Sequence, residues 1–187
     1  SADLTDTISF EYDTVLTNEY TTSQSHSIGK RYNGSLQPEF VNGQTTNQGQ
    51  ITYNELLVKK ITFKGGYLYF NRNTPRRDNI GNNLIYSLDE ILVYTINDKL
   101  IKKIQFNHDY YYSPSEMVGE GAKYRLKLTG FTEVGSDTTD ATDRKDYKFD
   151  YDNTSLPWFG SYNMDYWGFY NGATNSSLIP TTTVYAG

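Results

Sequence analysis

The chain has 187 residues, no cysteine, a net charge of −5 and a pI near 5.0. These values exclude disulfide frameworks, thiolate metal sites and cysteine nucleophiles, and they argue against a nucleic-acid partner, because phosphate contacts need clustered Lys and Arg. No window approaches the ~20 apolar residues of a membrane-spanning helix, and a mean hydropathy of −0.67 agrees, so no membrane insertion by this segment is expected.

A length of 187 residues suits one domain, or a segment of a longer repeat-built protein. A compact chain of this size buries roughly 70% of the surface its unfolded form exposes, enough to fold without metal or disulfide staples. Helical periodicity is nearly absent; the weak candidate, 87–94, also reads as a strand.

In chain order, Ile8-Ser9-Phe10-Glu11-Tyr12 alternates as a strand does. The polar stretch 21–50, with turn signals at Asn33-Gly34 and Asn42-Gly43, reads as a long loop with little core, inside an irregular N-terminal region, 1–54. Residues 55–63 then lead through Gly65-Gly66 into Tyr67-Leu68-Tyr69-Phe70, a hairpin whose paired glycines would supply positive φ in a tight turn. A second hairpin joins 91–94 to 100–106 around Asn97-Asp98, and a third joins 124–133 to 147–151 across a polar loop. These hairpins over 55–152 look like copies of one unit. Phe70 with Asn73, Phe106 with Asp109 and Phe149 with Asp152 repeat one spacing, as does Phe10 with Asp13. Each Phe would anchor the inner face and each Asp or Asn would close its strand by a side-chain-to-backbone bond.

The expected fold is therefore all-β: an antiparallel β-meander of repeated hairpins forming a sandwich or an open twisted sheet. Ile61, Phe70, Ile91, Ile104, Phe106, Leu126 and Phe149 would pack its inner face. Lys59-Lys60 and Lys102-Lys103 fall inside strands, where a basic residue facing water protects a sheet edge.

The runs 57–70 (LVKKITFKGGYLYF), 88–106 and Phe149-Asp150-Tyr151-Asp152 resemble the hairpins of YD-repeat, or Rhs-like, proteins. The stretch 147–180 is similar to one in large surface or secreted proteins of Bacteroides-type bacteria, with Leu156-Pro157, the run 165–172 (DYWGFYNG) and Leu178-Ile179-Pro180 as landmarks. The resemblance implies an extracytoplasmic location, at the cell surface or secreted. It also implies a non-catalytic scaffold whose partners are neighbouring repeats or domains of the same chain.

The aromatic, loop-rich C-terminal region, 153–187, holds the main site candidates. Trp158, Tyr162, Tyr166, Trp167 and Tyr170 could stack on the apolar faces of sugar rings, with Asp165 beside them, which defines the alternative reading of a carbohydrate-binding module and a glycan partner. A polysaccharide-active enzyme would use Asp165 as one of two carboxylates across a cleft; the competing structural reading makes Asp165 the cap of a turn. His26 in a Ser-rich loop and His108 just after a strand have no nucleophile or metal-ligand context.

In the loop 135–146, Asp137, Asp140, Asp143 and Asp146 recur every third residue, unlike the alternate-residue ligands of a calcium loop, and a hairpin tip is the expectation. Asn33, Asn153 and Asn175 open glycosylation sequons, matches that an Asn- and Ser-rich chain produces by chance. Gly65-Gly66 and Gly119-Glu120-Gly121 lack the context of a phosphate loop, and no cofactor is implied.

Overall fold

The computed structural model describes residues 6–31, 39–81, 83–115, 118–140, 142–165 and 167–178. They form one seven-stranded antiparallel sheet in which each strand pairs with the next in sequence. The strands are β1 (Ser9–Arg31), β2 (Glu39–Phe63), β3 (Gly66–Asn71), β4 (Glu90–Thr95), β5 (Leu100–Tyr112), β6 (Tyr124–Val134) and β7 (Arg144–Lys148). The chain is an all-β meander, and of the two arrangements anticipated it takes the open sheet. Among the described residues the only helical turn is a 3₁₀ turn at Glu120–Lys123, and no helix is long and apolar enough to cross a membrane.

Hairpins stand at all three expected places, as β2–β3, β4–β5 and β6–β7, but the third returns over Arg144–Lys148 rather than 147–151, so Phe149 and Tyr151 lie beyond the strand. Ile, Val, Tyr and Leu give β3 to β6 and the inner end of β2 an apolar side, and cross-strand pairs such as Ile61 with Leu68 and Ile91 with Ile104 set the register. The turn after β2 occupies 64–65, and neither residue has positive φ. Gly66, the first residue of β3, carries the positive φ (158°) expected of the glycine pair, and a Cβ there would also overlap the Tyr94 carbonyl of the neighbouring strand. In the second turn, Asp98 takes the left-handed conformation (φ 60°) that Asp tolerates better than most residues.

The stretch 21–50 is not a loop. Its described residues extend β1 and β2 into a two-stranded arm in strict register, from Asp13 opposite Leu57 out to Arg31 opposite Glu39, and Asn42-Gly43 lies within β2 rather than at a turn. Only Lys60 to Phe63 of β2 pair with β3, so the arm has no third strand. Both faces of such a ribbon can be solvated, so it needs no apolar alternation. Cross-strand side-chain bonds, Gln24 to Thr46 at 3.0 Å and Thr52 to Asn18 at 2.6 Å, reinforce the ladder instead.

Between β3 and β4 the chain makes an excursion over 72–89, closed at its neck by Asp89. That carboxylate accepts the amides of Asn73 (2.6 Å) and Thr74 (2.8 Å) and the Ser87 hydroxyl (2.9 Å). Asp78 pins the excursion to β6: Arg76 donates to it through Nε (2.9 Å) and Nη2 (2.8 Å), and the Leu126 amide donates at 3.0 Å. Arg77 lies 4.0 Å over the Tyr124 ring.

The core is thin. Among the described apolar residues only Ala122 and Val134 are buried. Ile61, Phe70, Ile91, Ile104, Phe106 and Leu126 are half-buried, and Phe149, expected inside, is 40% exposed while resting 6.1 Å from Phe131. Phe131 also stacks on Tyr147 at 4.4 Å and lies 6.4 Å from Phe106, making the densest aromatic cluster.

The repeated Phe-to-Asp spacing has no single structural meaning. Asp152 caps a turn through the Thr154 amide at 2.7 Å, as expected. Asp13 and Asp109 instead lie inside β1 and β5, where they pair with Lys59 (3.1 Å) and Lys127 (3.2 Å). Lys102 and Lys103 likewise meet Glu133 (3.2 Å) and Glu90 (3.4 Å), so these strand lysines are matched by acids across the sheet.

Candidate ligand-binding cleft

The described residues of 153–178 form no regular strand or helix, so specific contacts must hold them. Arg125 of β6 donates to the Pro157 carbonyl at 3.2 and 3.0 Å, and its guanidinium sits 4.0 Å over the Phe159 ring. The Phe159 amide donates to Ala122 O at 2.9 Å. Further on, Asn175 staples the segment to itself: its Nδ2 donates to Tyr162 O (3.0 Å) and Met164 O (3.1 Å), and its amide donates to Asn163 Oδ1 (2.8 Å). The Leu178 amide reaches Gln24 Oε1 of the arm at 2.7 Å.

This folding back encloses a cleft of about 810 Å³ between the arm and the C-terminal segment. Gln48 and Gln50 of β2 line one side, with Trp158, Tyr162, Asn163 and Asn175 facing them. Gln48 and Gln50 are two positions apart on a strand and so project from the same face.

The predicted aromatic residues do not share one surface. Trp158 and Tyr162 are half-buried and line the cleft. Trp167 (77% exposed) and Tyr170 (38% exposed) do not line it, and Tyr166 lies outside the described residues. Asp165 is a turn cap: its Oδ1 accepts the amides of Trp167 (2.9 Å) and Phe169 (3.0 Å), while its own amide donates to Phe169 O (2.8 Å). Gly168, at φ 86°, supplies the left-handed residue of this turn, which holds Trp167 and the 72% exposed Phe169 outward. Sequence reading missed Gln48, Gln50, Asn163 and Asn175. The first two become visible once 39–63 is read as a strand; the asparagines carry no local signal.

A second cavity of about 530 Å³ lies beneath the excursion, lined by Val15, Leu57, Asp78, His108 and Leu126 among others. Burial pushes the Asp78 carboxyl up, but the Arg76 fork and the Leu126 amide outweigh it and hold the group below the ordinary range. His108 lies inside β5 rather than after a strand, and burial pushes its imidazole down. His26 likewise sits in the arm, opposite Gln44.

In the loop after β6, Asp137 Oδ1 accepts the amide (2.9 Å) and hydroxyl (2.6 Å) of Thr139, and Asp140 holds Thr142 the same way at 2.8 and 2.6 Å. The two carboxylates are thus used in building successive turns. Among the described residues no group of three or more His, Asp or Glu side chains could hold a metal ion. The Asn33 sequon, its Gly34 turn and the Ile179-Pro180 landmark lie outside the described residues.

Comparison with protein-family models, curated proteins and solved structures finds no match to this chain.

Proposed function

We propose that this chain is a non-catalytic structural and interaction module of a bacterial surface or secreted protein of YD-repeat-like character, stacking its open sheet on neighbouring β-units. One observation carries the reading: the accessible surface is 13477 Å², against roughly 9,100 Å² for a compact monomer of this mass. A single-layer sheet keeps apolar side chains in water that a second layer would cover. Leu56 (63%), Leu84 (66%) and Ile96 (69%) are exposed on strand, excursion and turn. Trp167 and Phe169, held out on the Asp165-capped turn, have the character of interface anchors, large rings on a fixed backbone. The use of Asp165 as a cap favours this reading over a polysaccharide-active enzyme.

The test is sedimentation velocity of the chain from low micromolar concentration to its solubility limit, alongside binding of an apolar-surface dye. Expected are concentration-dependent association and dye binding, both reduced by Leu56→Lys combined with Trp167→Asp. A chain that stays monomeric throughout and binds no dye overturns the reading.

A further inference from the structure

We propose that the cleft between the β-arm and the C-terminal segment is a binding site for a neutral glycan. The site is independent of the stacking surfaces. Among the described residues its lining holds glutamine and asparagine amides (Gln48, Gln50, Asn163, Asn175), hydroxyl side chains and aromatic rings, but no Asp, Glu, Lys, Arg or His. In a chain with 39 charged residues, 17 basic plus 22 acidic, a cleft of about 810 Å³ whose described lining has none favours uncharged ligands. A phosphate, carboxylate or ammonium group entering it would lose hydration without a charged partner.

The remaining chemistry suits a polyhydroxylated chain. Trp158 and Tyr162 offer ring faces for the C–H face of a pyranose, while an amide carries both a donor and acceptors, as a sugar hydroxyl requires of its neighbours. The volume lies within the roughly 300–1,000 Å³ of small-molecule sites.

The construction of the cleft supports the same assignment. Asn175 uses its amide nitrogen to bind the Tyr162 and Met164 carbonyls, fixing the backbone on both sides of Asn163, and Arg125 fixes Pro157 next to Trp158. The backbone that carries the rings is therefore fixed before any ligand arrives, which lowers the ordering cost of binding. Gln48 and Gln50 enter from the arm, so the site exists only when arm and C-terminal segment are docked; Leu178 to Gln24 is a second contact between them. This gives the two-stranded arm a role that its lack of core does not.

The experiment titrates the full chain with soluble β-glucan, xylan, mannan, galactan and starch, and with alginate as an anionic control. Isothermal calorimetry and tryptophan emission are the readouts. The chain has two tryptophans, so in the Trp167→Ala background the emission reports Trp158 alone. The expected result is saturable binding of at least one neutral polymer, retained in Trp167→Ala, and no binding of alginate. Trp158→Ala should weaken affinity by about tenfold or more, with folding checked by circular dichroism. Gln48→Ala combined with Gln50→Ala, at exposed arm positions, should weaken it severalfold without affecting the fold. No saturable binding of any neutral polymer overturns the proposal, as does binding that survives both the Trp158 and the paired Gln substitutions. Because the stacking reading is tested by self-association, either can fail while the other stands.

Discussion

Asp78 joins two distant stretches of the chain, and its carboxylate is the most consequential single group in the fold. Its side chain is only 4% exposed, it takes both nitrogens of the Arg76 fork, and it accepts the amide of Leu126 from 48 residues away. A carboxyl held below its ordinary value contributes stability that is present above the unfolded value, near 3.8, and lost as pH falls through the lower folded value. Asp78→Ala would leave Arg76 partly buried without its partner and cost about 2–4 kcal/mol in urea unfolding; a loss under about 0.5 kcal/mol, typical of an open surface position, would contradict that role.

His108 has the opposite charge logic. Burial lowers its affinity for a proton, Asp89 opposes this and Arg76 adds to it. The folded chain therefore stays neutral at His108 where the unfolded chain already takes a proton. Stability falls as pH drops below about 6.5 and levels off beneath the folded value. Melting temperature followed downward from neutral pH should show that slope in the parent chain and a flatter one in His108→Gln; identical slopes would contradict it.

None of this was legible in the sequence. Neither Asp78 nor Asp89 carries a local signal: Asp78 is bound by Leu126 from 48 residues on, and Asp89, in a run that reads as strand or weak helix, closes on Asn73 and Thr74 some fifteen residues before it. The acids that do stand out, Asp137 and Asp140, bond to residues two positions on.

At the scale of elements, the hairpins were legible because alternation and turn chemistry are local; Gly66 has the positive φ read for the glycine pair, whereas its close approach to β4 carried no local signal. Gly66 sits where β3 passes close to β4, and Gly66→Ala would force its Cβ against the Tyr94 carbonyl. The expected result is a loss of about 2 kcal/mol in thermal or urea unfolding. A gain, as Gly→Ala gives where the backbone accepts a side chain, would contradict the close approach. The arm was not legible because a ribbon solvated on both faces carries no apolar period; its Ser, Thr, Gln and Asn residues are those of a loop, and only pairing distinguishes the two. The same blind spot hid half of the cleft. Trp158 and Tyr162 were visible as members of an aromatic cluster, but Gln48 and Gln50 meet them only through the arm.

For the whole molecule, composition suggested a compact domain that buries most of its surface, and that inference assumed a second layer. The meander supplies one layer, the excursion 72–89 and the C-terminal segment cover portions of it, and most large apolar side chains remain half-buried or exposed. Both the stacking surfaces and the cleft depend on an open sheet with a projecting arm. Small-angle X-ray scattering on the monomer peak of a sizing column tests it most directly. A compact chain of this length has a radius of gyration of about 16 Å. The open sheet predicts a value clearly above that, with a long tail in the distance distribution from the arm; a radius near 16 Å with a symmetric distribution would contradict it.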